Sequence, residues 1–297
     1  MLHVIYRSYG GENTKGRPDF YSKLNSLMSF IECFQQIKSD DAEIIFLNDG
    51  PIPQDRLRIM EKWGEVVARS NLGGRGSIRS ALGIPGARGW PDDDLVWFSE
   101  DDYLYRREAL NDLIVAAEAF PDASYFALYA MIGSRQPNGT ASEDRLPAPL
   151  PGSEATLVHG HPWRRAVSTT GTFGARVKPL LEDRSMLELA ATCGGAWDHT
   201  MCLMYQGFMP FPLSHLMASL LDANATKSWL HRLGIFSARM LLNSYQAARP
   251  RRRSSRRILV APDPPLITHV ETSFLALGTN WRSVAEDAQQ RMVAEYG

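Results

Sequence analysis

Apolar positions along the chain follow two rhythms that exchange several times. Leu2 to Tyr6 is a short apolar run, and from Phe20 to Lys38 the residues Leu24, Leu27, Met28, Ile31 and Phe34 recur at helical spacing. Glu43 to Leu47 is again strand-like, and Asn48-Asp49-Gly50-Pro51 stops it as a turn. A helix over 54–63 and a short Val66-Val67 strand come next. This strand-helix-strand-helix-strand order predicts a parallel sheet with right-handed crossovers. Ligands of such sheets bind at the carboxyl ends of the strands, where the polar residues are Arg7, Asn48, Asp49 and Asn71.

The segment from Asn71 to Ser80 carries Gly73, Gly74 and Gly76, which let backbone approach a ligand; it lacks the Gly-Lys-Ser/Thr ending of a P-loop, and a flexible connection is the plainer reading. Pro91-Asp-Asp-Asp is a solvated turn ahead of the run at 95–98. A helix over 106–120 ends at Pro121, a strand covers 124–131, and the Pro-rich stretch 133–153 is expected as a surface loop. Residues 156–159 and 165–169 suggest a hairpin or two short strands around His161-Pro162. Thr170 to Arg176 then opens a helix over 177–190, and Gly194 to His199 opens another. Helical stretches continue to 248, followed by an arginine-rich segment and a final strand at 266–270. No internal repeat is present, and one domain with a helical C-terminal elaboration is expected.

Composition narrows the class. A hydrophobic share of 44% with 22% charged residues fits a soluble globular protein, and a net charge of -1 gives no global field toward nucleic acid or membrane. Cys33, Cys193 and Cys202 show no metal or disulfide spacing, so a cytoplasmic location is expected, and the N-terminus reads as a first strand without a signal peptide. The most apolar late stretch, 201–221, is interrupted by Gln206, Gly207, Pro210, Pro212 and His215, which argues against a bilayer span.

The candidate chemistry begins at residues 95–102, Leu-Val-Trp-Phe-Ser-Glu-Asp-Asp, where an apolar strand runs into Glu100, Asp101 and Asp102. Like charges about 4 Å apart repel by about 4 kcal/mol at an effective dielectric of about 20, so these acids call for a cation. In extended chain Glu100 and Asp102 point one way and Asp101 the other. Two carboxylates on one side suit Mg2+ or Mn2+, with water or phosphate completing the shell. An acidic loop ahead of the helix that starts near Arg106 is the competing reading.

The order of these pieces resembles the GT-A fold of nucleotide-sugar glycosyltransferases, closest to the inverting family 2 enzymes, over most of residues 1–275. The resemblance implies an α/β, Rossmann-like fold with a mixed, mostly parallel sheet flanked by helices. It implies a nucleotide-binding half at 1–105, an acceptor half and helices at 106–248, a basic mobile loop at 249–257, and a C-terminal tail or helix at 276–297. Glu100-Asp101-Asp102 stands where that family carries a triplet of the Asp-x-Asp type. Asp102 is thereby implied as a ligand of Mn2+ or Mg2+, Glu100 as a partner of the ribose or of the ion's water shell, and Asp101 as a neighbour turned from the ion.

Arg7, Asn48 and Asp49 fall where the family holds the nucleoside, although Asp49 is equally a turn former. Ser77 and Arg79 belong to the segment that wraps nucleotide and sugar, with a surface arginine at a helix start as the alternative for Arg79. Asp198, in Gly194-Gly-Ala-Trp-Asp-His, matches the base that deprotonates the acceptor, and its alternative is a helix cap. His269 matches a C-terminal metal ligand, better suited to Mn2+ than to Mg2+, or else is a core histidine.

The implied activity is metal-dependent, inverting transfer of a sugar from a UDP- or GDP-sugar to a hydroxyl of a glycan or lipid-linked glycan. Two other classes stay open. A sugar nucleotidyltransferase or metal-dependent phosphohydrolase would use the same acids, although Tyr9-Gly10-Gly11-Glu12 does not resemble the basic Gly-rich signature of the former. A non-catalytic carbohydrate-binding module would use Trp90, Trp97, Trp163 and Trp197 as sugar platforms. The segment Arg249 to Arg257, with six arginines, reads as a solvated loop, a lid over the diphosphate, or a peripheral contact with anionic lipid. No nucleic-acid recognition motif is present.

Overall fold

A computed structural model describes residues 1–12, 16–132, 136–139, 154–192, 196–221, 228–249 and 256–296. Its first part alternates β1 (Leu2–Tyr9), α1 (Lys23–Phe34), β2 (Ala42–Asp49), α2 (Gln54–Trp63), β3 (Glu65–Arg69), α3 (Gly73–Arg88) and β4 (Leu95–Glu100). β1 lies between β2 and β4, parallel to both, and β3 extends the sheet beyond β2. Side chains along a strand alternate faces, and that alternation builds two cores. Val4, Phe46 and Trp97 pack on one side of the sheet with α1 and α2; Ile5, Leu47 and Phe98 pack on the other with α3.

The chain continues through β5 (Tyr103–Tyr105), α4 (Ala109–Ala119), β6 (Tyr125–Phe126), β7 (Ala130–Met131), β8 (Thr156–Val158), β9 (His161–Arg165), β10 (Ser168–Thr169) and β11 (Phe173–Arg176). It ends with α5 (Val177–Thr192), α6 (Trp197–Tyr205), α7 (Leu213–Leu221), α8 (Trp229–Ala248), β12 (Leu259–Pro262), β13 (Ile267–His269) and α9 (Trp281–Tyr296). Among the described residues the main sheet has nine strands in the order β3-β2-β1-β4-β11-β6-β12-β9-β8. β11 and β9 run against the rest, so the sheet is mixed and mostly parallel, as expected.

Several elements differ from the sequence expectation. The stretch Thr170 to Arg176 contains β11, inserted antiparallel beside β4, where a helix start was expected. Gly174 lies in that strand because a Cβ there would come 3.1 Å from the Trp97 ring. β12 pairs between β6 and β9, in a stretch where the sequence pattern assigns no element. The expected strand over 124–131 is two short ones, and the Gly-rich run is the first turn of α3, whose Ile78, Ala81 and Leu82 are buried at helical spacing. In the C-terminal stretch, expected as a tail or helix, α9 is helical, and its Trp281, Ala285 and Ala288 join the core that α1 occupies.

The hairpin of β8 and β9 turns at His159-Gly160, both with positive φ, rather than at His161-Pro162. Asp112 of α4 holds it, with Oδ1 3.0 Å from His159 Nδ1 and Oδ2 2.6 Å from His161 Nδ1.

A second buried carboxylate corrects the expectation of a wholly mobile basic loop. Asp183 of α5 is buried and accepts from Arg249 Nη2 at 2.9 Å, Arg257 Nε at 2.9 Å and Tyr125 Oη at 3.0 Å. Arg249 and Arg257 are therefore turned inward, while residues 250–255 lie outside the described residues. Asp183→Ala leaves two arginines without their shared counter-charge, and a loss of about 3 kcal/mol in urea-monitored stability is expected. A loss under about 0.5 kcal/mol, typical of a surface change, would remove this node as a structural anchor.

Candidate functional site

The strand order reverses direction at β1: the chain builds outward through β2 and β3 and then returns to β4 on the other side of β1. A crevice opens at such a switch point, beyond the carboxyl ends of the two strands. Here it is a cavity of about 720 Å³, within the range of small-molecule sites. Its lining includes Arg7, Asp49, Ser77, Glu100, Asp101 and Asp102, and also Asp198 and His269.

Register fixes the floor. Arg7 and Glu100 are paired positions of β1 and β4, and Arg7 Nη1 donates to Glu100 Oε1 at 3.0 Å. The same guanidinium donates to Ser77 Oγ at 3.3 Å and to the Gly74 carbonyl at 3.2 Å. Arg7 thus ties the two strands to the glycine-rich start of α3. Asp49 lines the cavity and accepts from the Leu72 amide at 2.6 Å, immediately before that helix.

The acidic triplet is not one continuous extended strand. The chain turns after Glu100, and all three acids line the cavity, with Asp101 and Asp102 held by different partners. Each acid has its own cation. Asp101 accepts from Ser8 Oγ at 3.0 Å and the Tyr9 amide at 2.8 Å, and sits 3.0 Å from Lys23 Nζ and 3.5 Å from Arg56 Nη1. Asp102 Oδ2 lies 2.8 Å from Arg17 Nη2 and 3.0 Å from His269 Nε2. The repulsion that called for a metal is thus answered in part by basic side chains, which the sequence reading missed. Arg17, Lys23 and Arg56 lie far from the triplet in sequence and carry no local motif.

These surroundings shift the acids in different directions. Burial tends to raise the Asp102 carboxyl, but hydrogen bonds and charge from His269 and Arg17 outweigh it and hold Asp102 well below the usual carboxylate range. Burial raises Glu100 against the pull of Arg7, and the nearby negative charges of Asp102 and Asp198 add to the rise. Burial likewise raises Asp101, opposed mainly by Lys23.

His269 reaches the site because β13 pairs with β5, placing it opposite Tyr103 with the rings stacked 5.1 Å apart. One carboxylate and one imidazole are a donor set that suits Mn2+. Among the described residues no cluster of three His, Cys, Asp or Glu side chains forms a metal cage, so an ion at this pair would draw the rest of its shell from diphosphate oxygens and water.

Another part of the lining comes from the start of α6. Asp198 lies in its first turn, beside Trp197 and His199, and its Oδ1 accepts from the His199 amide at 2.8 Å. Gly171 closes the cavity near Glu100: a Cβ there would stand 2.9 Å from Glu100 Oε1.

Two candidate residues are not among the cavity lining. Asn48 is buried behind it, and Arg79 is exposed on α3, because the helical twist carries position 79 away from Ser77. Of the four tryptophans offered as sugar platforms, Trp97 and Trp163 are fully buried, Trp90 stacks on His3 at 3.9 Å, and Trp197 lines the cavity. Cys33 and Cys202 are no nucleophiles, since burial pushes both thiols up to about 12. Cys193, Gly194 and Gly195 lie outside the described residues.

No known family model matches the chain. No curated protein matches it in sequence. Among solved structures it is similar to S. aureus TarS 1–349, with 15% identity, a TM-score of 0.42, and coverage of 82% of this chain and 72% of that one. The TarS complex with UDP gives 17% identity, a TM-score of 0.42, and coverage of 80% and 70%; the complex with UDP-GlcNAc gives 13%, 0.42, 82% and 72%.

Proposed function

We propose that this chain is a metal-dependent, inverting glycosyltransferase that moves a sugar from a UDP- or GDP-sugar to a hydroxyl of a glycan or lipid-linked glycan. The observation that carries this reading is convergence: Asp198, from a helix start, faces the same cavity as Arg7, Glu100 and the Asp102–His269 pair. A carboxylate that shares a cavity with cationic groups and a metal-competent carboxylate–imidazole pair supplies the division of labour that such a displacement needs.

In this reading the acceptor hydroxyl gives its proton to Asp198 while its oxygen forms a bond to the anomeric carbon. The bond from that carbon to the phosphate oxygen breaks, and its electron pair leaves with the nucleoside diphosphate. A divalent cation, when held by Asp102 and His269, supplies positive charge to the two phosphates. Arg7 holds Glu100 and the start of α3 in place, so the cavity floor is formed before a donor arrives. Trp197 offers an aromatic face to a sugar ring on the acceptor side.

A thermal-shift series with UDP- and GDP-sugars, with and without Mn2+, tests the donor class. A donor at about 100 times its Kd stabilises the native state by about 2.7 kcal/mol, so a clear rise in Tm that needs the metal is expected. Product analysis then separates the classes: a glycosyltransferase releases a nucleoside diphosphate, whereas release of phosphate or pyrophosphate would move the protein to another class. Glycan binding with no nucleotide requirement would favour the non-catalytic reading.

A further inference from the structure

Tyr103 follows the acidic triplet directly, as the first residue of β5. It is buried and belongs to the cavity lining, and its two ends meet two different parts of the site. On the ring side, β5 and β13 pair antiparallel with Tyr103 opposite His269, which puts both side chains on one face. The two rings are stacked, 5.1 Å apart at an interplanar angle of 25°. The imidazole is thereby held by its face, with Nε2 3.0 Å from Asp102 Oδ2 and Nδ1 3.7 Å from Glu271 Oε2. It cannot turn edge-on without leaving the stack, so Nε2 stays on the Asp102 side.

On the other side, Tyr103 Oη donates to Thr170 Oγ1 at 2.7 Å. Burial, with the charges of Glu100 and Asp102, pushes that hydroxyl well above its ordinary range, so it remains a donor. Thr170 Oγ1 also accepts from the Thr172 amide at 3.3 Å, and Thr172 Oγ1 accepts from the Glu100 amide at 3.2 Å. The link between β10 and β11 is thus laid against the end of β4, where a Cβ on Gly171 would stand 2.9 Å from Glu100 Oε1. A contiguous series of contacts runs from His269 through Tyr103, Thr170 and Thr172 to Glu100.

We propose that Tyr103 is a positioning residue of the donor site: its ring sets the His269 imidazole toward Asp102, and its hydroxyl fixes the 170–172 link against Glu100. This role rests on the reading of the cavity as a metal and nucleotide site, and Tyr103 itself neither moves a proton nor holds a ligand in it. Groups that orient a metal-binding histidine are worth about 10- to 100-fold in metal affinity, and a single neutral hydrogen bond about 2- to 12-fold in an equilibrium. The ring and the hydroxyl therefore have separable effects.

Calorimetry of the full chain with UDP and with GDP, each with and without Mn2+, separates them. Tyr103→Phe keeps the ring and loses the hydroxyl: nucleotide affinity without metal is expected to fall about 2- to 12-fold, while the factor by which Mn2+ improves it stays as in the parent. Tyr103→Leu loses the ring as well, and that Mn2+ factor is expected to shrink by at least about tenfold. A residue that only supports the fold would lower Tm and leave the Mn2+ factor equal in both variants. Thr170→Val breaks the same hydrogen bond from its other end, so Y103F/T170V should bind nucleotide no more weakly than the weaker single variant, and this cycle decides the matter where Tyr103→Leu does not fold. Unchanged metal-free affinity in Y103F, or additive losses in the double variant, overturns the proposal. A parent that responds to Mn2+ with a Y103L variant that responds equally overturns it alone; a parent that does not respond to Mn2+ overturns it together with the metal reading of the cavity.

Discussion

Replacing Asp198 by Asn is expected to reduce turnover by about 10²- to 10⁴-fold while leaving donor affinity unchanged. Asp198 accepts from the His199 amide at the start of α6, and its charge adds to the rise of the Glu100 carboxyl. Asparagine keeps the size and the hydrogen-bond acceptor of that side chain, so α6 should hold its start. What it loses is the capacity to take a proton. Calorimetry with UDP or GDP and Mn2+ should therefore match the parent, and single-turnover rates should not. Retention of rate would remove Asp198 as the base; parallel loss of binding and rate would assign it to the donor side.

Replacing Asp102 by Asn is expected to abolish the Mn2+ dependence of nucleotide binding. The carboxylate meets both Arg17 and His269, so the substitution removes the charge they share. Such a loss carries a stability cost as well, on the order of 3 kcal/mol for one member of a buried network, and Tm must be followed alongside affinity. Asparagine still accepts a hydrogen bond from Arg17, which limits that cost. Calorimetric titration of UDP and GDP with and without Mn2+ gives the result. A folded variant whose nucleotide affinity still rises with Mn2+ would take Asp102 out of the metal site.

The competition around Asp102 also sets what the ion must do. Arg17 already supplies a positive charge, so a cation gains only what it adds beyond that guanidinium. In the proposed reaction the diphosphate of the donor would supply that difference, so metal and nucleotide binding would support one another.

Asp102, Glu100 and His269 were legible in the sequence because each sits at or just past the end of a strand with an apolar run, and Asp198 because a glycine-containing turn and a helical pattern flank it. β1, β2, β4 and β13 have short apolar runs, and the polar residue after each run falls at the crevice. The strands that were missed lack that signature. β11 reads Phe-Gly-Ala-Arg, where tight packing against Trp97 favours glycine over a β-branched residue. β12 is four residues long and follows an arginine run that masks it. The counter-cations were invisible for another reason: Lys23 looks like one residue of an amphipathic helix, and nothing nearby reveals that its ammonium reaches Asp101. The glycine-rich segment misled in the opposite sense, since its glycines suggested a loop while Ile78, Ala81 and Leu82 already had a helical period.

The contact between Asp102 and His269 closes a span of 167 residues. Long-range closures of this kind come late, because the entropy of bringing distant segments together precedes the contacts that reward it. During synthesis the first strands and their helices can pair well before His269 has been made. The cavity then has its floor and Arg17 on Asp102, but not its imidazole. Donor recognition of the proposed kind would therefore be a property of the finished fold, since His269 comes from near the end of the chain.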